Sequence, residues 1–180
     1  MSSYKDFLTD IKQLRENARK KMEQGPITEN YSADPKEIIE LLNIALATET
    51  VCTLRYKNHY YVAKQLGAKD AADEFLEHAG EEQAHADQLA DRITQLGGIP
   101  NLDPIFISKN SHAEYVACNN IKDMLNENLI AERIAIDSYR QMINYIGNND
   151  PTTRRVLEEV LAVEEEHADD LLELKAEYVD

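Results

Sequence analysis

Two copies of one short pattern, Glu82-Gln83-Ala84-His85 and Glu164-Glu165-Glu166-His167, set a carboxylate and an imidazole three residues apart. On a helix that spacing puts both groups on one face, with Cβ atoms about 5–6 Å apart. Each pair follows a lone glutamate: Glu49 lies 33 residues before Glu82, and Glu132 lies 32 before Glu164. One glutamate from each of two helices plus a Glu-x-x-His pair from each of two others is the donor set of di-iron and di-manganese carboxylate bundles. Carboxylate and imidazole without thiolate suit iron or manganese better than structural zinc. Four carboxylates balance two divalent cations, and neutral imidazoles fill out the coordination. Glu82 and Glu164 are expected to bridge the two metals, Glu49 and Glu132 to hold one end each, and His85 and His167 to complete one metal each. The chemistry suited to such a pair is coupled one-electron oxidation of Fe(II).

The spacing of apolar residues and helix breakers supplies the elements that must position these groups. Phe7, Ile11, Leu14, Ala18 and Met22 recur at helical intervals, predicting an amphipathic N-terminal helix that stops before Gly25-Pro26. Asp34-Pro35 reads as an N-cap followed by proline at the first helical position. A long helix then runs to Leu66 and breaks at Gly67, with Ile38, Leu41, Leu42, Ala45, Thr48, Cys52 and Tyr56 on its inner stripe. A second runs from about Asp70 to Leu96 and ends at Gly97-Gly98. Pro100 and Pro104 mark an irregular crossover. A third helix begins between Ser111 and Ile121 and ends at Ile146, and Asp150-Pro151 opens a fourth that reaches nearly to the C-terminus. The expected organisation is an arm and linker over residues 1–33 and a four-helix unit over 34–180, built as two hairpins of similar layout.

The hairpin geometry can be checked for register. Glu49 is 18 residues before Gly67 and Glu82 is 15 after it. At 1.5 Å per residue these are about 27 Å up one helix and about 22 Å down the next, within one helical turn of each other. The second hairpin repeats the match, so all six groups can meet at mid-height. Leu46, Ala47, Val51 and Leu54 flank Glu49, and Ile130, Ala131, Ile134 and Ala135 flank Glu132. A carboxylate in such company is costly unless paired or metal-bound. A single Glu-x-x-His carries little weight alone, whereas two with mirrored lone glutamates are specific.

Other residues have more ordinary readings. Tyr56, seven residues after Glu49, shares its face and is either a packed core tyrosine or a one-electron donor beside the metals. Cys52 reads as a small buried hydrophobe, with Cys118 out of its reach. His78 is expected to be solvated, with an outer ligand as the alternative, and His59 and His112 are expected at the surface. Glu81, Glu165 and Glu166 should face solvent or line an acidic iron path.

Composition narrows the partners. The net charge of −15 favours cations and disfavours nucleic acid or anionic membranes. Arg15, Arg19, Lys20 and Lys21 on the arm, interleaved with Glu16 and Glu23, are the only support for DNA binding. No apolar run approaches a membrane span, no signal peptide is visible, and two cysteines make no disulfide framework. A cytoplasmic setting is expected.

With Glu49, Glu82-x-x-His85, Glu132 and Glu164-x-x-His167, the chain resembles the ferritin superfamily, specifically its bacterioferritin branch, over about Pro35 to Tyr178. The six residues match that branch's ferroxidase ligands, and Tyr56 falls where the branch has a tyrosine beside the site. The resemblance implies an all-α, ferritin-like antiparallel four-helix bundle with a long crossover between its second and third helices. It implies a ferroxidase using two Fe ions per subunit, with Mn or Zn as possible substitutes, and O2 or H2O2 as oxidant for iron storage, detoxification or oxidative-stress protection. Where bacterioferritins carry the haem-ligating methionine this chain has Gln83, so no haem is expected. The arm and the short segment after His167 are more like Dps-like mini-ferritins, implying a homo-oligomeric shell of twelve subunits rather than twenty-four. The rival readings are a rubrerythrin-like peroxidase, whose Cys-x-x-Cys module is absent here, a Dps-type DNA-protecting protein, and a di-manganese enzyme.

Overall fold

The computed structural model describes residues 10–178. The chain divides at the Ser32–Ala33 junction into two units. In the first, α1 (Ile11–Lys20) is capped by Asp10, whose carboxylate accepts from the Lys12 amide at 2.9 Å. A short 3-10 turn, Met22–Gln24, follows. No residue of α1 is buried and Ile11 is 56% exposed, so its apolar stripe is unsheltered within the chain. Phe7 lies outside the described residues.

The second unit contains α2 (Pro35–Leu66), α3 (Lys69–Gln95), α4 (Pro104–Asn110), α5 (Ile121–Ile146) and α6 (Pro151–Tyr178). Its helices start where short acceptors meet prolines. The Asp34 carboxylate accepts from the Lys36 amide at 2.9 Å with Pro35 behind it, and the Asp150 carboxylate accepts from the Thr153 amide at 2.9 Å. Gly67 ends α2 with φ of 79°, a left-handed conformation that glycine adopts without steric cost.

Within the four-helix unit the element not anticipated is α4, a two-turn helix inside the crossover. Asp103-Pro104 repeats the same cap-and-proline device, with Asp103 accepting from the Ile105 amide at 2.7 Å. The signal was therefore present in the sequence.

α2 packs along α3 and α5 along α6, and the two hairpins meet through α2 with α5 and α3 with α6. The crossover decides the direction of the second hairpin. Its path is tied to α2 by successive polar contacts: the Asn101 amide to Asn43 Oδ1 at 2.7 Å, then the His112 amide to Thr48 Oγ1 at 3.0 Å. Beyond these, Arg55 Nη1 donates to the Glu114 carbonyl at 3.0 Å, and His59 Nε2 meets the Val116 carbonyl at 3.0 Å. The chain thus climbs α2 from Asn43 to His59 and delivers α5 toward the end where α2 turns into α3. There Tyr56, Ala63, Phe75, Ala79, Met124, Leu125 and Leu171 form an apolar cluster.

Two expectations about side chains fail. Leu54 and Ile130, expected to shelter the glutamates, are 53% and 50% exposed. They lie on the outer faces of α2 and α5, whereas Leu46, Ala47, Val51, Ala131 and Ala135 are buried as expected. His59 is fully buried, bridging the crossover and Asn128 of α5, and burial pushes its pKa down to about 4.

At the opposite end, Arg92 Nη2 donates to both Asp150 oxygens at 3.0 Å, and Arg92 Nε donates to Thr153 Oγ1 at 2.8 Å. All three residues are buried. Asp150 therefore caps α6 and neutralises a buried guanidinium at once. Replacing it with alanine leaves that charge unpaired, and we predict a loss of about 3–5 kcal/mol in the urea unfolding of metal-free protein. A loss below about 1 kcal/mol would refute this role.

Candidate metal centre

The six groups converge in the middle of the bundle. Glu49 from α2, Glu82 from α3, Glu132 from α5 and Glu164 from α6 are each 1% exposed or less. They fall into two overlapping groups, Glu49, Glu82, His85 and Glu164, and Glu82, Glu132, Glu164 and His167. In each group one ligand atom per residue lies within 4.8 Å of all the others. Glu82 and Glu164 belong to both groups, the arrangement expected of carboxylates shared by two cations.

The electrostatics of this interior are unsatisfied. Both oxygens of Glu82 and of Glu164, Glu132 Oε2 and His167 Nδ1 are buried without a hydrogen-bond partner among the described residues. Buried polar atoms rarely stay unpaired in folded proteins, and six around one point call for a charged occupant. His85 Nδ1 hydrogen-bonds Glu49 Oε2 at 3.3 Å and also faces Glu164 Oε1 at 2.9 Å and Glu82 Oε2 at 3.5 Å. Burial, followed by the charges of neighbouring carboxylates, raises Glu82 and Glu164 well above the usual carboxylate range. Burial also opposes charge on Glu49, but the approach of Glu82, His85 and Tyr139 outweighs it and lowers its pKa. Burial alone would depress His85, yet Glu49 and Glu82 carry it up to about 10.

Two tyrosines brace the lone glutamates in a crossed arrangement. Tyr56 on α2 donates to Glu132 on α5, and Tyr139 on α5 donates to Glu49 on α2. Both are fully or nearly fully buried, and burial next to these carboxylates keeps both phenols protonated. Tyr139 was missed. The signal for it was internal symmetry, since it follows Glu132 by the same seven residues that separate Tyr56 from Glu49.

Other neighbours depart from expectation. His78 is not solvated: it is 1% exposed, stacks on His167 with ring centroids 4.0 Å apart, and lies 3.3 Å from the Tyr56 hydroxyl through Nδ1. Burial and the neighbouring His167 push its pKa down to about 3. Glu81 is half-buried and accepts from His167 Nε2 at 2.8 Å, which turns Nδ1 toward the carboxylates. Glu165, Glu166 and His112 are exposed, as expected. Cys52 is buried and Cys118 half-buried, both as free thiols, and burial raises the Cys52 thiol well above its usual range. Gln83 faces outward.

Residues 39–177 match the model of the ferritin-like domain family. The chain belongs to the ferritin superfamily. The bacterioferritin of Brucella melitensis biotype 1 is 33% identical over 142 residues, covering 76% of this chain and 80% of that protein. A nutrient stress-induced DNA-binding protein of a Synechococcus species is 28% identical over 135 residues, covering 73% and 77%. Among solved structures, a dodecameric thioferritin, the bacterioferritin-related protein of Bacteroides fragilis, superposes with a TM-score of 0.74 at 33% identity. That match covers 83% of this chain and 94% of the other.

Two measurements follow from the geometry. Burial and the neighbouring carboxylates raise Glu82 and Glu164, and Glu49 and Glu82 carry His85 up to about 10, so His85 is protonated at neutral pH and a cation must displace that proton. Zn(II) binding is therefore predicted to release protons and to tighten as pH rises, seen as a buffer-dependent heat in calorimetry. Heat independent of the buffer's ionisation would contradict the protonation described. Glu81→Ala removes the partner that orients His167 and should weaken metal binding about 10–100-fold, read by competition with a chelator.

Proposed function

We propose that this ferritin-superfamily chain is a ferroxidase whose substrate, two Fe(II) ions, is held by Glu49, Glu82, His85, Glu132, Glu164 and His167. The observation that carries the reading is the pair of overlapping ligand groups sharing Glu82 and Glu164, with six buried atoms left unpaired. Four carboxylates match the charge of two divalent ions, and an oxygen- and nitrogen-only donor set suits iron. Oxidation of two Fe(II) releases two electrons, which with two protons reduce O2 to H2O2 or H2O2 to two waters. The proton carried by His85 leaves as the cations enter. Glu81 orients His167, while Tyr139 and Tyr56 hold the terminal carboxylates.

Iron storage with protection from oxidative stress is the biological role this chemistry supports. Assembly into a homo-oligomeric shell, of twelve chains as in the Bacteroides fragilis relative, is part of the reading. Ile99, Leu102 and Ile105, exposed at 85%, 59% and 66% along the crossover, are apolar surface that such contacts would cover. Among the described residues no helix is long and apolar enough to cross a membrane.

A DNA-protecting role has two observations behind it. Arg15, Arg19, Lys20 and Lys21 are all exposed at α1 and its C-cap, and one relative bears a DNA-binding name. The chain's charge of −15 opposes that role.

Anaerobic titration followed by air should oxidise two Fe(II) per chain, followed by absorbance of the ferric product. Glu82→Ala together with Glu164→Ala should abolish the fast phase, and light scattering on the same samples should give twelve chains. Fast oxidation surviving both substitutions would sink the assignment.

A further inference from the structure

We propose that Glu74, His78 and Asp170 form a second, mononuclear divalent-cation site, standing between solvent and His167 and separate from the paired centre. The three residues offer one ligand atom each, all within 4.8 Å of one another. A single divalent ion with bonds of about 2.1 Å spans opposing ligands about 4.2 Å apart, so modest side-chain movement closes the group around it. The Glu74 and Asp170 side chains are 31% and 43% exposed, whereas the His78 side chain is 2% exposed. The site is thus open on its carboxylate side and closed on its imidazole side.

The unpaired nitrogen of His78 is the deciding feature. The Tyr56 hydroxyl gives its only proton to Glu132, so toward His78 it can only accept. His78 Nδ1 is therefore the protonated nitrogen, and Nε2 of the neutral ring carries a lone pair. That lone pair is buried and has no hydrogen-bond partner among the described residues. Yet it faces Glu74 Oε1 at 3.0 Å and Asp170 Oδ2 at 3.7 Å. A lone pair aimed at two carboxylates is repulsive with nothing between them. A divalent cation turns the same arrangement into coordination by two hard oxygens and one imidazole, a donor set suited to Fe(II), Mn(II), Co(II) or Zn(II).

Internal symmetry argues that the group is not a by-product of the duplicated layout. Measured from Glu164 as Glu74 and His78 are measured from Glu82, the mirrored positions are Val156 and Val160. The mirror of Asp170 is Gln88, and Val160 is fully buried. Only the His167 side of the centre carries this set. On its inner side His78 also groups with Glu81 and His167, so it adjoins ligands that face both ways. A cation held by Glu74 and Asp170 has the Glu81 carboxylate as its next acceptor toward the centre. Use of the site as a staging position for Fe(II) rests on the ferroxidase reading, but its occupancy does not.

Co(II) serves as the probe, counted by equilibrium dialysis with metal analysis and followed by its d–d absorption. Three Co(II) per chain are expected for the native sequence, and two for Glu74→Gln with Asp170→Asn. The Glu82→Ala, Glu164→Ala protein should keep one, which is lost when Glu74→Gln and Asp170→Asn are added. Removing buried carboxylates should not threaten folding, and the Glu74, Asp170 variant leaves the core untouched. Two Co(II) in the native protein and none after Glu82→Ala with Glu164→Ala would overturn this site while leaving the paired centre standing. One ion in both of those proteins, lost with Glu74→Gln and Asp170→Asn, would support this site and remove the paired centre. An ion that persists in the fourfold variant would place the binding elsewhere and overturn the proposal.

Discussion

The structure depends on four carboxylates being forced together in an interior that does not solvate them. Glu49, Glu82, Glu132 and Glu164 are essentially inaccessible, and the low-dielectric surroundings make their mutual repulsion strong. Without cations the protein relieves it by holding a proton on His85 and by donating from Tyr56 and Tyr139, while the proton affinity of Glu82 and Glu164 rises. These devices leave six polar atoms unpaired, so the metal-free interior is satisfied only in part. Such a site trades local stability for affinity, since whatever neutralises it recovers the cost.

The bracing is distributed so that no helix holds its own ligand alone. The tyrosine hydrogen bonds cross between the first helix of each hairpin, and Glu81 of α3 orients His167 of α6. Each contact ties a ligand to the opposite hairpin, so the geometry of the centre is set by how the hairpins dock. Apolar packing, with the Arg92–Asp150–Thr153 cluster added at one end, fixes that docking. The crossover contributes too, because its polar contacts along α2 choose the end at which α5 begins.

The two halves are similar but not equivalent. His85 Nδ1 faces three carboxylates, whereas His167 is oriented by Glu81, for which the duplicated position is Val163. The His167 side also carries His78, Glu74 and Asp170, where its mirror is mostly apolar.

Residue type and spacing alone were enough to identify the six converging groups, because a Glu-x-x-His pair and a matched distance from a glycine break are local properties of a helix. Helix ends were equally readable, since Asp-Pro starts and left-handed glycines act within a few residues, and α4 carried the same start signal. The chain's order could not reveal which helix faces which. Tyr139, Glu81 and His78 acquire their partners across helices, and the exposure of Leu54 and Ile130 depends on the face left free once α2 and α5 have packed. His59 looked like a surface residue because its burial comes from a crossover contacting it from 57 residues away in sequence. Contacts of that range exist only after the hairpins have docked, so they belong to the folded molecule and not to any segment of it.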